Sequence, residues 1–220
     1  MTELAERVRH LRQRIDQACA ASDRDPASVE LLPVSKRHPL ALIRAAGALG
    51  FRRFGENYVQ EGVQKAQDAA DLEFVLIGPL QRNKARLALT HFREIMTLDR
   101  PELATRLRLL AGELDLVRGV WLQVDLWGEA SKVGGCDEPG LEALFQALDG
   151  DPRLPVQGFM AIPPPEAPEA FRALAELRAR HQDRTGRRLR LSMGMSGDLE
   201  AAVAAGSDQI RIGTAFFGIR

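Results

Sequence analysis

At the start of the chain Leu4, Val8, Leu11, Ile15 and Ala18 return at spacings of four, three, four and three. That spacing lays one apolar stripe along an opening helix. A single stripe needs a partner, so this helix packs on something larger. From Glu30 onward the pattern changes to short apolar runs, each followed by a helical stretch. The runs at 30–34, 52–55, 73–77, 94–97, 117–124, 155–159, 190–193 and 209–212 read as strands. Segments near 39–48, 58–70, 83–89, 101–113, 140–148, 166–185 and 198–205 read as helices, with a short helical stub at Thr214. Strands alternating with helices predict an α/β protein with a parallel sheet, and eight such units predict a single-domain (β/α)8 TIM-type barrel with an extra N-terminal helix. The rival, a doubly wound open sheet, lacks a GxGxxG after the first strand and an evident antiparallel edge. One domain over residues 1–220 is small for a barrel and leaves no room for an added catalytic domain.

Composition narrows the partners. Lys plus Arg and Asp plus Glu each number 30, so the formal charge is zero, and 45% of residues are apolar. Such a chain folds, but it has no long-range attraction for nucleic acid or anionic lipid, so any anion site must be local. No eighteen-residue apolar run is free of charge, which argues against a spanning helix. The first residues carry Glu3 and Glu6 among arginines with no apolar h-region, the pattern of neither a secretory signal nor a transit peptide. Cys19 and Cys136 show no CxxC spacing and no disulfide framework. A cytoplasmic location is expected.

Only four of the basic residues are lysines (Lys36, Lys65, Lys84 and Lys132), and Lys36 stands just past the first strand in Leu31-Leu32-Pro33-Val34-Ser35-Lys36. In a barrel the carboxyl ends of the strands form the functional face. An amine buried there leans toward its neutral form, which attacks aldehydes to give an imine. An ion pair with a strand-end carboxylate explains the same placement. The loops after strands seven and eight, where barrels commonly hold phosphate, read Met193-Gly194-Met195-Ser196-Gly197-Asp198 and Gly213-Thr214-Ala215-Phe216-Phe217-Gly218. Both open helices, whose first N–H groups lack internal partners. Ser196 and Thr214 add hydroxyls; equally, Ser196 fits an N-cap and Gly213 a turn. Arg211, between isoleucines in the last strand, requires an acceptor inside the barrel, most often a carboxylate. Glu56 and Asn57 follow strand two, placed to reach a ligand or to cap the next helix. The run Gly78 to Lys84 lacks the second glycine and the terminal hydroxyl residue of a Walker loop. His10, His38, His91 and His181 lack ligand spacing, so no metal is expected. The stretch 128–134, with Lys132, reads as a mobile loop, and the prolines at 163–168 as a stiff connection.

Together these pieces resemble the pyridoxal phosphate homeostasis proteins, also called the proline synthetase co-transcribed family. The resemblance rests on Val34-Ser35-Lys36, Phe54-Gly55-Glu56-Asn57-Tyr58-Val59-Gln60-Glu61, Ile77-Gly78-Pro79-Leu80-Gln81 with Asn83-Lys84, Gly158-Phe159-Met160-Ala161-Ile162-Pro163, Leu191-Ser192-Met193-Gly194-Met195-Ser196, and Arg211-Ile212-Gly213-Thr214 with Phe217-Gly218. It implies a barrel like the alanine racemase N-terminal domain, and pyridoxal 5'-phosphate held as a Schiff base on Lys36. It also implies that Ser196, Gly213 and Thr214 hold the phosphate, Arg211 faces the pyridine nitrogen and Asn57 lies near the ring. Phe74-Val75-Leu76 and Asp125-Leu126-Trp127 depart from the family pattern. An arginine beside the ring nitrogen keeps it unprotonated and makes the ring a poor electron sink. The only tyrosine is Tyr58, and no second domain is available to supply another acid or base. The expected role is therefore homeostasis and delivery of the cofactor to apo-enzymes without efficient catalysis. Alternatives are a weak amino-acid racemase on the same cofactor, or a barrel acting on a phosphorylated metabolite without it.

Overall fold

In the computed structural model, which describes residues 2–128, 134–164 and 167–219, strands and helices alternate through the chain. The helix α1 (Glu3–Ala21) begins where the Thr2 hydroxyl accepts from the Ala5 N–H, and its apolar stripe is buried against the rest of the chain. The alternating units are β1 (Glu30–Pro33), α2 (Leu40–Ala48), β2 (Arg53–Glu56), α3 (Val59–Asp68), β3 (Glu73–Leu76), α4 (Ala85–His91), β4 (Glu94–Leu98), α5 (Pro101–Leu114) and β5 (Gly119–Gln123). They continue with α6 (Glu138–Leu148), β6 (Val156–Met160), α7 (Pro168–Thr185), β7 (Arg190–Ser192), α8 (Leu199–Ala204), β8 (Gln209–Ile212) and α9 (Thr214–Phe217). The eight strands are parallel in the order β1-β8-β7-β6-β5-β4-β3-β2, so the predicted barrel, with its extra N-terminal helix, is the architecture of the protein.

Closure is completed at one seam. β1 pairs along its length with β8, whereas it meets β2 just beyond its end. There Val34 bridges Gly55, and the Ser35 N–H donates to the Gly55 carbonyl at 2.9 Å. Alternate residues of each strand point inward. Leu32, Val75, Met96, Trp121 and Met160 fill the barrel, and the larger apolar set lies between strands and helices. Below them the amino-terminal end of the barrel is plugged by charge. Glu30 pairs with Arg53 at 2.7 Å and Arg190 at 2.9 Å, and accepts from the Gln209 amide at 3.1 Å. The Trp121 Nε1–H donates to Glu94 at 2.8 Å.

Boundaries shifted where local chemistry outweighed the apolar pattern. β5 starts at Gly119 because Val117, 55% exposed, lies before the buried run. α6 starts two residues early because Asp137 Oδ1 caps the Gly140 N–H at 2.9 Å. Of the expected 128–134 loop, residues 129–133, including Lys132, lie outside the described residues, as do Pro165 and Glu166 of the proline-rich connection. Among the described residues, no helix is long and apolar enough to cross a membrane, and no cluster of histidine, cysteine and carboxylate side chains fits a metal ion.

Candidate functional site

The predicted residues converge on the carboxyl-terminal mouth of the barrel. Lys36 has the parity of the inward-facing Leu32 and lies two residues past the seam. Its side chain is half-buried, and its amine has no hydrogen bond or ion pair with any described residue. The carboxylate partner considered for it is therefore not found among them. Asn57, one residue past β2, is on the adjacent strand, and its buried Oδ1 lacks a partner. A buried acceptor left unpaired costs free energy, so this atom is poised for a donor from a ligand. Asn57 does not cap α3, whose N-cap is Tyr58 with no side-chain cap bond. Beside it, the loop after the neighbouring β3 comes so close that a Cβ on Gly78 would stand 2.1 Å from the Asn57 carbonyl oxygen. Only glycine allows that approach.

Arg211 pairs in register with Leu32 and is buried, but the carboxylate expected to neutralise it is replaced by backbone. Its Nη1 donates to the Ser192 carbonyl at 2.7 Å and hydroxyl at 2.8 Å, and its Nη2 to the Ala161 carbonyl at 2.8 Å. The ends of β6 and β7 supply these acceptors: the Ser192 carbonyl, which also takes the Ala161 N–H at 3.0 Å, and the Ala161 carbonyl one residue past β6. Burial pushes the guanidinium down to about 10, so it remains a cation at neutral pH. Three hydrogen bonds leave two of its five donors without a partner among the described residues.

The two glycine-bearing loops lie side by side, tied by the Arg211 N–H to the Gly194 carbonyl at 3.1 Å. Gly194 has φ +96°, and a Cβ there would stand 2.4 Å from that of Ala202. Ser196 is not the cap of α8. That position is Asp198, whose Oδ1 accepts the Met195 N–H at 2.5 Å. The Ser196 hydroxyl is thus left available, half-buried, with Thr214 exposed opposite it at the start of α9 and Gly213 at that helix's N-cap. The N–H groups of Ser196, Gly197, Thr214 and Ala215 have no acceptor among the described residues. Converging donors of this kind suit a phosphate.

Two contacts were not legible in the sequence. Arg14 of α1 crosses to the Ser196 loop, donating to the Ser196 carbonyl at 3.0 Å while pairing with Glu200 at 2.8 Å. The helix outside the barrel therefore braces a loop of its mouth. Second, Glu56 turns away from the mouth toward α3, where its Oε1 accepts from the Lys65 ammonium at 2.7 Å and the Ser35 hydroxyl at 2.6 Å. Burial raises the Glu56 carboxyl, with the Lys65 and Ser35 bonds opposing. No local pattern marks either contact, since the partners meet only when the barrel closes. The one hint was the i,i+4 spacing of Glu61 and Lys65.

Residues 5–220 match the family model described as alanine racemase, N-terminal domain. Over its full length the chain is 45% identical to the pyridoxal phosphate homeostasis protein of Pseudomonas aeruginosa, covering 97% of that protein, and 41% identical to that of Escherichia coli, covering 98%. Among solved structures it resembles PipY of Synechococcus elongatus with PLP bound, at 39% identity and TM-score 0.85, over 98% of this chain and 100% of that one. A Clostridium difficile alanine racemase shares the fold at TM-score 0.77 and 11% identity, over 99% of this chain and 56% of that one.

Proposed function

This chain belongs to the pyridoxal phosphate homeostasis proteins built on the alanine racemase N-terminal domain, and from that membership we propose that it binds pyridoxal 5'-phosphate as a Schiff base on Lys36. Its role is to hold and deliver the cofactor within the cell without efficient turnover. The observation that carries this reading is the half-buried Lys36 amine, unpartnered among the described residues, beside the orphaned Asn57 Oδ1 and the cationic Arg211. The related PipY with PLP bound supports it.

When bound, the cofactor supplies an electrophilic aldehyde and, where an acid flanks its ring nitrogen, an electron sink. The protein's own residues divide the binding. Lys36 anchors the aldehyde end, Asn57 donates or accepts beside the ring, and the donors at Ser196, Gly213 and Thr214 hold the phosphate. Arg211 is fixed by three acceptors, so it would set a permanent positive charge beside the ring nitrogen of the bound cofactor. A second positive charge there is disfavoured, which suppresses turnover. Apo-enzymes that need the cofactor would be its recipients.

Borohydride reduction of the cofactor-loaded protein followed by peptide mapping tests the attachment, with modification expected on Lys36; modification elsewhere, or none, overturns it. Lys36→Ala should abolish the imine absorbance while shifting stability by less than about 1 kcal/mol. Exchange of the alpha hydrogen of amino acids in heavy water separates carrier from racemase, and sustained multiple turnover at enzymatic rates would identify the latter.

A further inference from the structure

The turn that carries Lys36 is closed by the His38 N–H on the Ser35 carbonyl at 3.0 Å, but it places a side-chain-bearing residue where glycine is favoured. Arg37, the next residue, has φ +60°, a left-handed conformation unfavourable for a side-chain-bearing residue. Such conformations persist where surrounding structure imposes them. Around it, besides the turn's own hydrogen bond, stands Lys65 of α3, 8% exposed, whose ammonium donates at 2.7 Å to the Ser35 carbonyl, to Glu56 Oε1 and to Glu61 Oε1. All three of its protons are used. Glu61 Oε1 in turn accepts the Arg37 N–H at 2.5 Å, and Glu56 Oε1 accepts the Ser35 hydroxyl at 2.6 Å. The residue before Lys36 is therefore held directly by the ammonium and the residue after it through Glu61, while the lysine side chain itself is left untouched.

We infer that Lys65 is a positioning residue for Lys36: with Glu56 and Glu61 it clamps the backbone on both sides of that lysine and fixes where its amine stands in the mouth of the barrel. This rests on the reading of Lys36 as the cofactor's anchor and adds to it a cause for the amine's placement. An ammonium is suited to the task because three tetrahedral donors reach three acceptors on different elements, which a planar guanidinium does not reproduce.

The test uses the full-length protein in two arms. Hydrogen–deuterium exchange without cofactor reads the amides of residues 34–38, and borohydride trapping at timed intervals reads the rate at which added pyridoxal 5'-phosphate is fixed on Lys36. Lys65→Met and Glu61→Ala are expected to speed exchange at residues 34–38 by about tenfold or more, because local opening is no longer opposed. They are also expected to slow capture by about tenfold, since small misplacements of a reacting group are costly. Glu61→Gln keeps the acceptor and should restore both rates to near wild type. Where Lys65→Met does not fold, because Glu56 is left buried without its cation, the half-exposed Glu61 pair of variants decides. Unchanged exchange and capture in Glu61→Ala, or changes spread evenly over the barrel, overturn the proposal. A wild-type protein that takes up no cofactor on Lys36 sinks the reading of the anchor, and the cofactor-free exchange arm still decides for or against the clamp.

Discussion

A buried arginine held by three backbone and hydroxyl acceptors is costly to remove, because the acceptors stay behind in a dry place. Arg211→Met should destabilise the protein by about 1–3 kcal/mol. For a domain of this size that corresponds to a melting temperature lower by roughly 2–10 °C in thermal denaturation. Glu56 makes a prediction of opposite sense to the usual carboxylate. Its folded value is raised, chiefly by burial, so the folded state binds the proton more tightly than the unfolded one. Its contribution to stability is then full below the unfolded value, near 4.5, and is lost as pH rises through the folded value. Urea titrations across that window should show the wild-type stability falling with pH relative to Glu56→Gln; a difference independent of pH would refute the assignment. That Lys36, Asn57 and Arg211 stand at the mouth was legible, because position past a strand and inward parity are sequence properties. The acceptors of Arg211 were not, since backbone carbonyls carry no residue signature and only strand endings in three dimensions expose them.

Among the elements, α1 has a task its apolar stripe did not announce. The stripe explains why the helix packs, but not the reach of Arg14 to the Ser196 carbonyl. Arg14→Met should cost less than about 1 kcal/mol in stability, because its pair with Glu200 is partly solvated. It should nevertheless weaken phosphate-dependent binding of the cofactor several-fold, read by titration against pyridoxal lacking the phosphate. Between α6, α7 and β6, His181 stacks on Phe145 and meets Phe159 edge-on, both at ring distances of 5.3 Å. Burial lowers its value from 6.5, with nearby Arg184 adding to the effect. The folded state then binds this proton less readily than the unfolded one, so its contribution is retained above 6.5 and lost as pH falls. His181→Phe should reduce acid sensitivity below pH 6.5 in urea unfolding. Helix and strand identities were legible from periodicity; their ends moved where a cap such as Asp137 outvoted the apolar pattern.

The molecule as a whole is one closed wall around a filled interior. Trp121 is fully buried within it, and Trp121→Ala should cost about 3–5 kcal/mol through the cavity left behind. A loss below about 1 kcal/mol in denaturant titration would mean that the interior collapses freely. The barrel itself was legible because eight alternations admit few other topologies. The seam was not: nothing in Val34 or Gly55 says that closure waits until just beyond the end of β1.

Among the described residues, the charged layer and the filled interior leave the carboxyl-terminal mouth as the way to the site. On the proposed carrier reading, loading and unloading then share one path, so no acceptor could collect the cargo from behind while the mouth stays shielded from water. On that reading a recipient would either take what has already escaped or cover the entrance itself. The two routes have different kinetic orders: the first proceeds at a rate indifferent to how much recipient is present, and the second speeds up as recipient is added.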